Sequence, residues 1–385
     1  MRSIYLVFGQ PLIEEAEIEE VVKSMRAAWL GTGPKVAEFE KRVAAYKGVR
    51  HAVAVNSCTA GLHLGCLALG LQAGDEVIVP AMTFCATINA VIHAGATPVL
   101  ADVAADTFNL DSEQVRRKIT PRTKAIMPVH FAGRACDMDA LTALAHEYKV
   151  KIIEDCAHAI ETEYRGRKAG TFGECGVLSF YATKNIVTGE GGMVLTNDAE
   201  LAARVKILAL HGMSQDAWKR FSDDGYKHYE VVEIGFKYNM MDLQAAIGMH
   251  QIQRVEAYWE KRQRIWEQYN VAFTSFPVRL PARIDGDSRH ALHLYTMLID
   301  NEAASITRDK FIAAMHRRNI GTGVHYRSIA EHPIYQQRFG WKPEDYPNAN
   351  VIGKSTVSLP LSPKLTDEDV EDVISAVQEV LRSGH

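Results

Sequence analysis

The sequence predicts an α/β protein: a large, mainly parallel mixed sheet flanked by helices, followed by a smaller α/β unit at the carboxyl end. Three observations predict it. Short apolar runs such as His51-Ala52-Val53-Ala54-Val55, Val77-Ile78-Val79 and Lys151-Ile152-Ile153 alternate with helical segments, as strands buried on both faces do. Two of the runs deliver chemistry-bearing residues at their carboxyl ends, where open α/β sheets keep their ligands. After Pro277 the pattern shifts to a strand near Leu292 to Ile299, a helix Arg308 to Asn319 and a Gly-rich turn, Gly321 to Tyr326.

Composition narrows the class. A chain of 385 residues can hold two domains with separate cores, and 47% hydrophobic with 23% charged residues is ordinary for a soluble enzyme. A net charge of -4 without long basic runs argues against a nucleic-acid partner. No apolar run approaches the ~18 residues of a membrane span, and the amino terminus lacks a signal-peptide pattern, so the expected location is cytoplasmic with no membrane partner. The six cysteines form no Cys-x-x-Cys pair and no zinc-finger spacing, so they read as reduced, buried residues and no metal is expected.

In chain order, an acidic amphipathic helix near Ile13 to Met25 is broken by Gly31, Gly33 and Pro34 before a helix from Lys35 to Tyr46. The strand His51 to Val55 then runs into Asn56-Ser57-Cys58-Thr59-Ala60-Gly61 and a Leu-rich helix. Small polar residues at a strand-to-helix turn leave free N–H groups at the positive end of a helix, which suits phosphate; Thr59 and Ala60 are the candidates. Simple capping of the helix by Ser57 or Thr59 is the alternative. The strand Val77 to Val79 leads to Thr83-Phe84, then to a helix from Cys85 to Ala94 and a strand Pro98 to Leu100. A strand Ala125 to Val129 and a helix Met138 to Tyr148 continue the alternation.

The central stretch carries the chemistry. Lys151 to Asp155 is a buried strand that ends in a carboxylate, and Val177-Leu178-Ser179-Phe180 empties into a segment, Thr183 to Gly192, whose glycines forbid a regular element. Lys184 therefore sits on a loop just past a strand. A lysine amine forms a Schiff base with an aldehyde, and a carboxylate across a pyridine ring keeps the ring nitrogen protonated, a combination that suits pyridoxal 5'-phosphate. His158, three residues past Asp155, is placed to donate to the cofactor's phenolic oxygen, with a structural role as its rival.

Beyond a strand Met193 to Thr196 and a helix Ala199 to Leu210, residues 211–235 read as a substrate-covering loop. A single long helix is expected from Met241 to Thr274, bridging two domains, and Thr366 caps the last helix with Asp369 three residues on.

Glu154-Asp155-Cys156-Ala157-His158-Ala159, Ser179-Phe180, Lys184-Asn185 and Gly189-Glu190-Gly191-Gly192-Met193-Val194 occur in the order in which they closely resemble the nucleotide-sugar aminotransferases of the DegT/StrS type. These are fold-type-I pyridoxal-phosphate enzymes, and the likeness runs from about Gly31 to Leu381. It implies an amino-terminal segment, residues 1–30, packed away from the main sheet and associated with the small domain. A large cofactor-binding domain over 31–255 and a small domain over 256–385 follow. The resemblance makes Lys184 the residue that carries the cofactor covalently, Asp155 the partner of the pyridine nitrogen, Ser179 a phosphate ligand and Phe84 the ring that stacks on the pyridine. It implies a homodimer with shared active sites, in which Asn239 reaches the phosphate of the other subunit's cofactor. The commonest pattern has Asn-Tyr-Arg where this chain has Lys237-Tyr238-Asn239, which leaves the choice between Asn239 and Lys237 open.

That departure, His158 and the run His211-Gly212-Met213-Ser214-Gln215-Asp216-Ala217-Trp218 look most like the enzymes that aminate C4 of UDP-linked 4-keto-sugars. The implied reaction takes an amino group from L-glutamate to the C4 keto group of the nucleotide-linked keto-sugar, for cell-surface polysaccharide or lipopolysaccharide. His211, Lys237 and His325 are candidates at the sugar, and His293 is a weaker one. Amination of a C3 keto-sugar or a keto-cyclitol is the alternative. A dehydratase on the same scaffold is disfavoured because the resembling dehydratases carry histidine in place of Lys184; a non-catalytic sugar-binding regulator is the reading from another class.

Overall fold

The computed structural model describes residues 2–214 and 229–383. Residues 215–228, which hold most of the expected substrate-covering loop and the end of the His211 to Trp218 run, lie outside them.

Seven strands form the main sheet: β1 (His51–Val55), β2 (Glu76–Pro80), β3 (Thr97–Ala101), β4 (Thr123–Ile126), β5 (Lys151–Cys156), β8 (Cys175–Ser179) and β9 (Gly192–Thr196). Between β5 and β8 lies a small hairpin of β6 (Glu163–Tyr164) and β7 (Arg167–Lys168). The sheet order is β1-β9-β8-β5-β4-β2-β3, and β9 alone runs against the rest. The mainly parallel mixed sheet expected from the apolar runs is therefore present. Its strands are apolar on both faces because helices cover both, and Val53, Val77, Ile78, Ile153, Val177 and Val194 are all within 2% of complete burial.

A second sheet holds β10 (Val278–Arg279), β11 (Tyr295–Ile299) and β12 (Thr356–Leu359), all antiparallel. Helix Asp367–Ser383 and the apolar face of helix Val255–Phe273, with Ile265, Trp266, Tyr269 and Phe273, share its core. The expected Thr366 cap is present, with Asp369 N–H donating to Thr366 Oγ1 at 3.1 Å and Thr366 N–H to Asp369 Oδ2 at 2.9 Å.

Four local expectations need correction. The helix from Met241 to Thr274 is two helices, Asp242–Gln251 and Val255–Phe273, joined by a 3-10 turn. The break falls where Arg254 leaves helical geometry (φ -103°, ψ 5°) while its guanidinium is tied to Glu14 and Glu17. Strand β4 stops at Ile126 because Pro128 has no N–H to give the ladder, and Val129 rejoins only through one bridge to Asp155. Gly192 opens β9 instead of belonging to the irregular loop; a Cβ there would lie 2.5 Å from the Ser57 carbonyl carbon, so only glycine lets β9 approach that turn.

The amino-terminal segment does not keep away from the sheet's ligand edge. Leu6 pairs with Ile320, Ser362 Oγ donates to Gln10 O, and the chain between them carries Phe8 and Gly9 into the main cavity. Only the following helix, Glu15–Arg26, lies off the sheet, packed on helix Asp242–Gln251. Among the described residues no helix is long and apolar enough to cross a membrane.

Candidate active site

The site forms where four strands of the main sheet end. Strand β1 delivers Ser57 to Thr59, β2 delivers Thr83 and Phe84, β5 delivers Asp155 and His158, and β8 delivers Ser179 and then Lys184. These residues line one cavity of about 430 Å³ with Phe8, Gly9, His293, His325 and Tyr326.

Alternation along β5 sends neighbouring carboxylates to opposite faces. Glu154 turns inward, where it accepts N–H bonds from Gly170, Phe172 and Gly173 and a contact from His130 Nε2 at 3.1 Å. That saturates Glu154, and its carboxyl is held below its usual range despite burial. Asp155 faces the cavity with fewer donors. Its Oδ2 accepts from Thr87 Oγ1 at 2.8 Å and its Oδ1 from Ala157 N–H at 3.1 Å. A carboxylate only accepts, so the Thr87 proton points to Asp155 and Thr83 Oγ1 must donate to Thr87 at 2.7 Å. Burial raises the Asp155 carboxyl above its usual range in spite of these bonds, so the site has room for one more positive donor.

Lys184 follows β8 on a turn closed by its own N–H to Tyr181 O at 2.8 Å. Its ammonium makes no hydrogen bond or ion pair with a described residue, and burial pushes it down to about 8, only partly offset by Cys58 and Asp155. A desolvated amine that is partly unprotonated near neutrality is a nucleophile and a base.

The loop is fixed from behind by Asn185, whose amide donates to Glu161 Oε2 at 2.7 Å and to Ala291 O at 2.8 Å. Glu161 is also paired with Arg262, both fully buried. Replacing Arg262 with methionine is expected to destabilise the fold by about 3 to 5 kcal/mol at pH 8, because it strands a buried carboxylate. Burial already raises Glu161, so the folded chain binds that proton more tightly than the unfolded chain. The deficit is therefore full above the folded pKa of Glu161 and shrinks as pH falls through it, which denaturant midpoints at pH 8 and pH 5 compare directly.

Helix Cys58–Ala68 starts at the cavity. Ser57 caps it by accepting Ala60 N–H at 3.1 Å, so the first-turn N–H groups of Cys58 and Thr59 are the ones left without intrahelical acceptors. Thr59 and Ser179 line the cavity; Ala60 does not, since its N–H is spent on the cap. The cap thus uses Ser57 and Ala60, and leaves the N–H groups of Cys58 and Thr59 free at the cavity. The cavity fits pyridoxal phosphate at each end: an under-donated carboxylate for a ring nitrogen, an unpaired amine for an aldehyde, and N–H and hydroxyl groups for a phosphate.

Phe84 lines the same cavity with its ring more than half exposed. His158 is buried and both its nitrogens are engaged, Nδ1 by Ala132 N–H at 3.2 Å and Nε2 by the Tyr326 hydroxyl at 3.0 Å, so it does not stand free for a phenolic oxygen. His293 Nδ1 lies 2.9 Å from Asn185 Oδ1, and His325 Nδ1 lies 2.8 Å from Ser358 Oγ. Burial and the Lys184 charge hold all three imidazoles neutral, His325 at about 3.

Three candidates are not brought to this cavity within one chain. Asn239 donates to Thr32 Oγ1 at 2.6 Å, Lys237 is exposed, and His211 is exposed at a left-handed turn (φ 58°). Sequence reading missed Phe8, Gly9 and Tyr326. Only the Gly321 to Tyr326 turn carried a signal, and its histidine drew attention ahead of its tyrosine.

Comparison with known proteins agrees with this geometry. Residues 11–378 match the model of the DegT/DnrJ/EryC1/StrS aminotransferase family. The spore coat polysaccharide biosynthesis protein SpsC of Bacillus subtilis is 47% identical over 384 residues, covering 100% of this chain and 99% of that protein. Spr1654 from Streptococcus pneumoniae, solved in its PLP-form, superposes with a TM-score of 0.92 at 31% identity, covering 99% of this chain and 100% of that one. Helicobacter pylori PseC, an aminotransferase involved in the biosynthesis of pseudoaminic acid, gives 0.90 at 27% identity, covering 99% and 100%. With a family match over nearly its whole length and a cavity built for the cofactor, the chain belongs to the DegT/DnrJ/EryC1/StrS aminotransferases, enzymes that use pyridoxal phosphate.

Proposed function

We propose that this protein transfers the amino group of L-glutamate to the C4 keto group of a UDP-linked keto-sugar for a cell-surface polysaccharide. One observation carries the sugar reading. The cavity wall carries four neutral hydrogen-bonding groups, His158, His293, His325 and Tyr326, and no arginine among the described residues lines it. Such a wall suits a hydroxyl-rich, uncharged ring. The similarity to SpsC, a spore coat polysaccharide biosynthesis protein, supports the same class.

Pyridoxal phosphate, when bound, supplies an electron sink that stabilises a carbanion. Asp155 would keep the ring nitrogen protonated, Ser179 and the N–H groups of Cys58 and Thr59 would hold the phosphate, and Phe84 would lie against the ring. Lys184 would hold the aldehyde carbon and, as a desolvated amine, would be the base that moves the substrate proton. Residues 31–255 form the cofactor-binding domain and 256–385 the small one, with which the segment 1–30 is associated through Leu6 and Gln10.

A second copy completes the site with Asn239, Lys237 and His211, in a cytoplasmic homodimer. The exposed side chains of Val231 (66%), Val232 (56%) and Ile234 (91%) beside this segment support a covered surface there.

Two measurements test the reading. With L-glutamate and a panel of UDP-linked 4-keto-sugars, release of 2-oxoglutarate with an aminated sugar is expected; binding with no 2-oxoglutarate would leave a sugar-binding protein. The apoprotein's capture of cofactor, followed by visible absorbance, is expected to quicken with pH and level off above about 8, because only the unprotonated Lys184 amine attacks an aldehyde. An unperturbed lysine would keep accelerating to about 10.4.

A further inference from the structure

Tyr326 belongs to none of the motifs that point to pyridoxal phosphate, yet it forms part of the cavity wall. Its hydroxyl has a fixed polarity, set by a chain of bonds that starts in the backbone. Asn109 pins the turn Phe131–Gly133, accepting Phe131 N–H at 2.9 Å and donating to Arg134 O and Ala135 O. That turn aims Ala132 N–H at His158 Nδ1. A backbone N–H can only donate, so Nδ1 is bare and the single proton of the neutral ring is on Nε2. Nε2–H therefore donates to the Tyr326 oxygen, and the phenol's own proton is left without an acceptor among the described residues. Burial keeps that phenol protonated.

The neighbouring ring has the opposite polarity. His293 lies 4.5 Å from His158, ring centre to ring centre. Both N–H groups of Asn185 are spent on Glu161 and Ala291, so the amide presents its oxygen to His293 Nδ1. An oxygen only accepts, so His293 carries its proton on Nδ1 and Nε2 keeps a lone pair. Two side chains in the same cavity wall thus offer one donor and one acceptor, and neither can swap roles without breaking a buried bond. His158 and His293 line the same cavity as Lys184, and both feel its charge.

We propose that Tyr326 and His293 orient the sugar ring of the keto-sugar: the Tyr326 hydroxyl donates to one substrate oxygen, and His293 Nε2 accepts from a neighbouring substrate hydroxyl. His158 is a positioning residue that acts through Tyr326. This rests on the sugar-aminotransferase reading and adds which groups read the sugar. It also explains why two buried histidines are kept uncharged: a charged pair would both donate, and the acceptor would be lost.

The two half-reactions separate this role from a structural one. Holoenzyme is mixed with L-glutamate alone, then the aminated form with a UDP-linked 4-keto-hexose, each followed by cofactor absorbance. Tyr326→Phe is expected to leave the glutamate half-reaction within about 2-fold and to slow the sugar half-reaction by about 10- to 100-fold. His293→Phe should do the same, and an analogue of that substrate lacking the hydroxyl read by His293 should be used nearly equally by the variant and the parent enzyme. His158→Gln, which keeps an N–H donor, should retain more sugar half-reaction than His158→Leu. Equal slowing of both halves in Tyr326→Phe, or no slowing of the sugar half, overturns the proposal. Absence of any spectral change when the parent enzyme meets L-glutamate instead overturns the L-glutamate donor of the proposed function and leaves the sugar-side proposal to be read with another amino donor.

Discussion

Replacing Lys184 with alanine is expected to abolish amino transfer and the visible absorbance of bound cofactor together, with turnover falling by about 10,000-fold or more. The two losses share one cause. Lys184 is the only amine lining the cavity among the described residues, and it is unpaired there, lowered to about 8 by burial. Alanine removes both the group that holds the aldehyde and the base that moves the proton. Lys184→Arg makes the point sharper, since a guanidinium keeps the charge yet stays protonated and cannot form the covalent link. Thermal unfolding of the apoprotein should not fall in Lys184→Ala, because the ammonium has no partner among the described residues to lose, whereas Lys184→Arg should be destabilised by a desolvated charge that cannot be shed. Retention of either turnover or colour by Lys184→Ala would refute the assignment.

How much of this was legible in the sequence depends on whether a residue's role is local. Asp155 could be read as a candidate because it lies at the end of a short apolar strand, a position that a linear pattern encodes. Lys184, on the loop past β8, drew its role from that loop together with the family resemblance, and Ser179 from the resemblance alone. The cap at Ser57 and the phosphate turn were both readable, but their division was not, since Ala60 N–H goes to Ser57 only once the helix has its exact start. Tyr326 was out of reach because its role comes from His158, 168 positions earlier, and from an N–H at Ala132 whose direction follows from a left-handed turn (φ 55°). Phe8 and Gly9 were missed because their approach to the cavity depends on Leu6 pairing with Ile320, a contact between the two ends of the chain. Helix breakage at Arg254 was equally invisible, since apolar spacing continues across it and the tertiary ion pairs with Glu14 and Glu17 do not.

Asp155→Asn is expected to separate what Lys184→Ala loses together: colour persists while turnover falls by about 100- to 10,000-fold. Asparagine has nearly the same shape, and its one oxygen can still accept from Thr87, although the Ala157 N–H then loses its acceptor. What disappears is the negative charge. Burial already holds the Asp155 carboxyl above its usual range, and a protonated ring nitrogen is the donor that would bring it back down. An amide cannot stabilise that cation, so the ring nitrogen loses its proton and the cofactor withdraws electrons less strongly. Lys184 still captures the aldehyde, which is why absorbance survives. Thr87→Val should be milder, about 10-fold, because it strips one hydrogen bond from Asp155 and leaves the charge. Loss of colour in a folded Asp155→Asn protein would mean that the carboxylate holds the cofactor in place; full activity would mean that the ring nitrogen needs no partner, and either result would remove Asp155 from the role assigned to it.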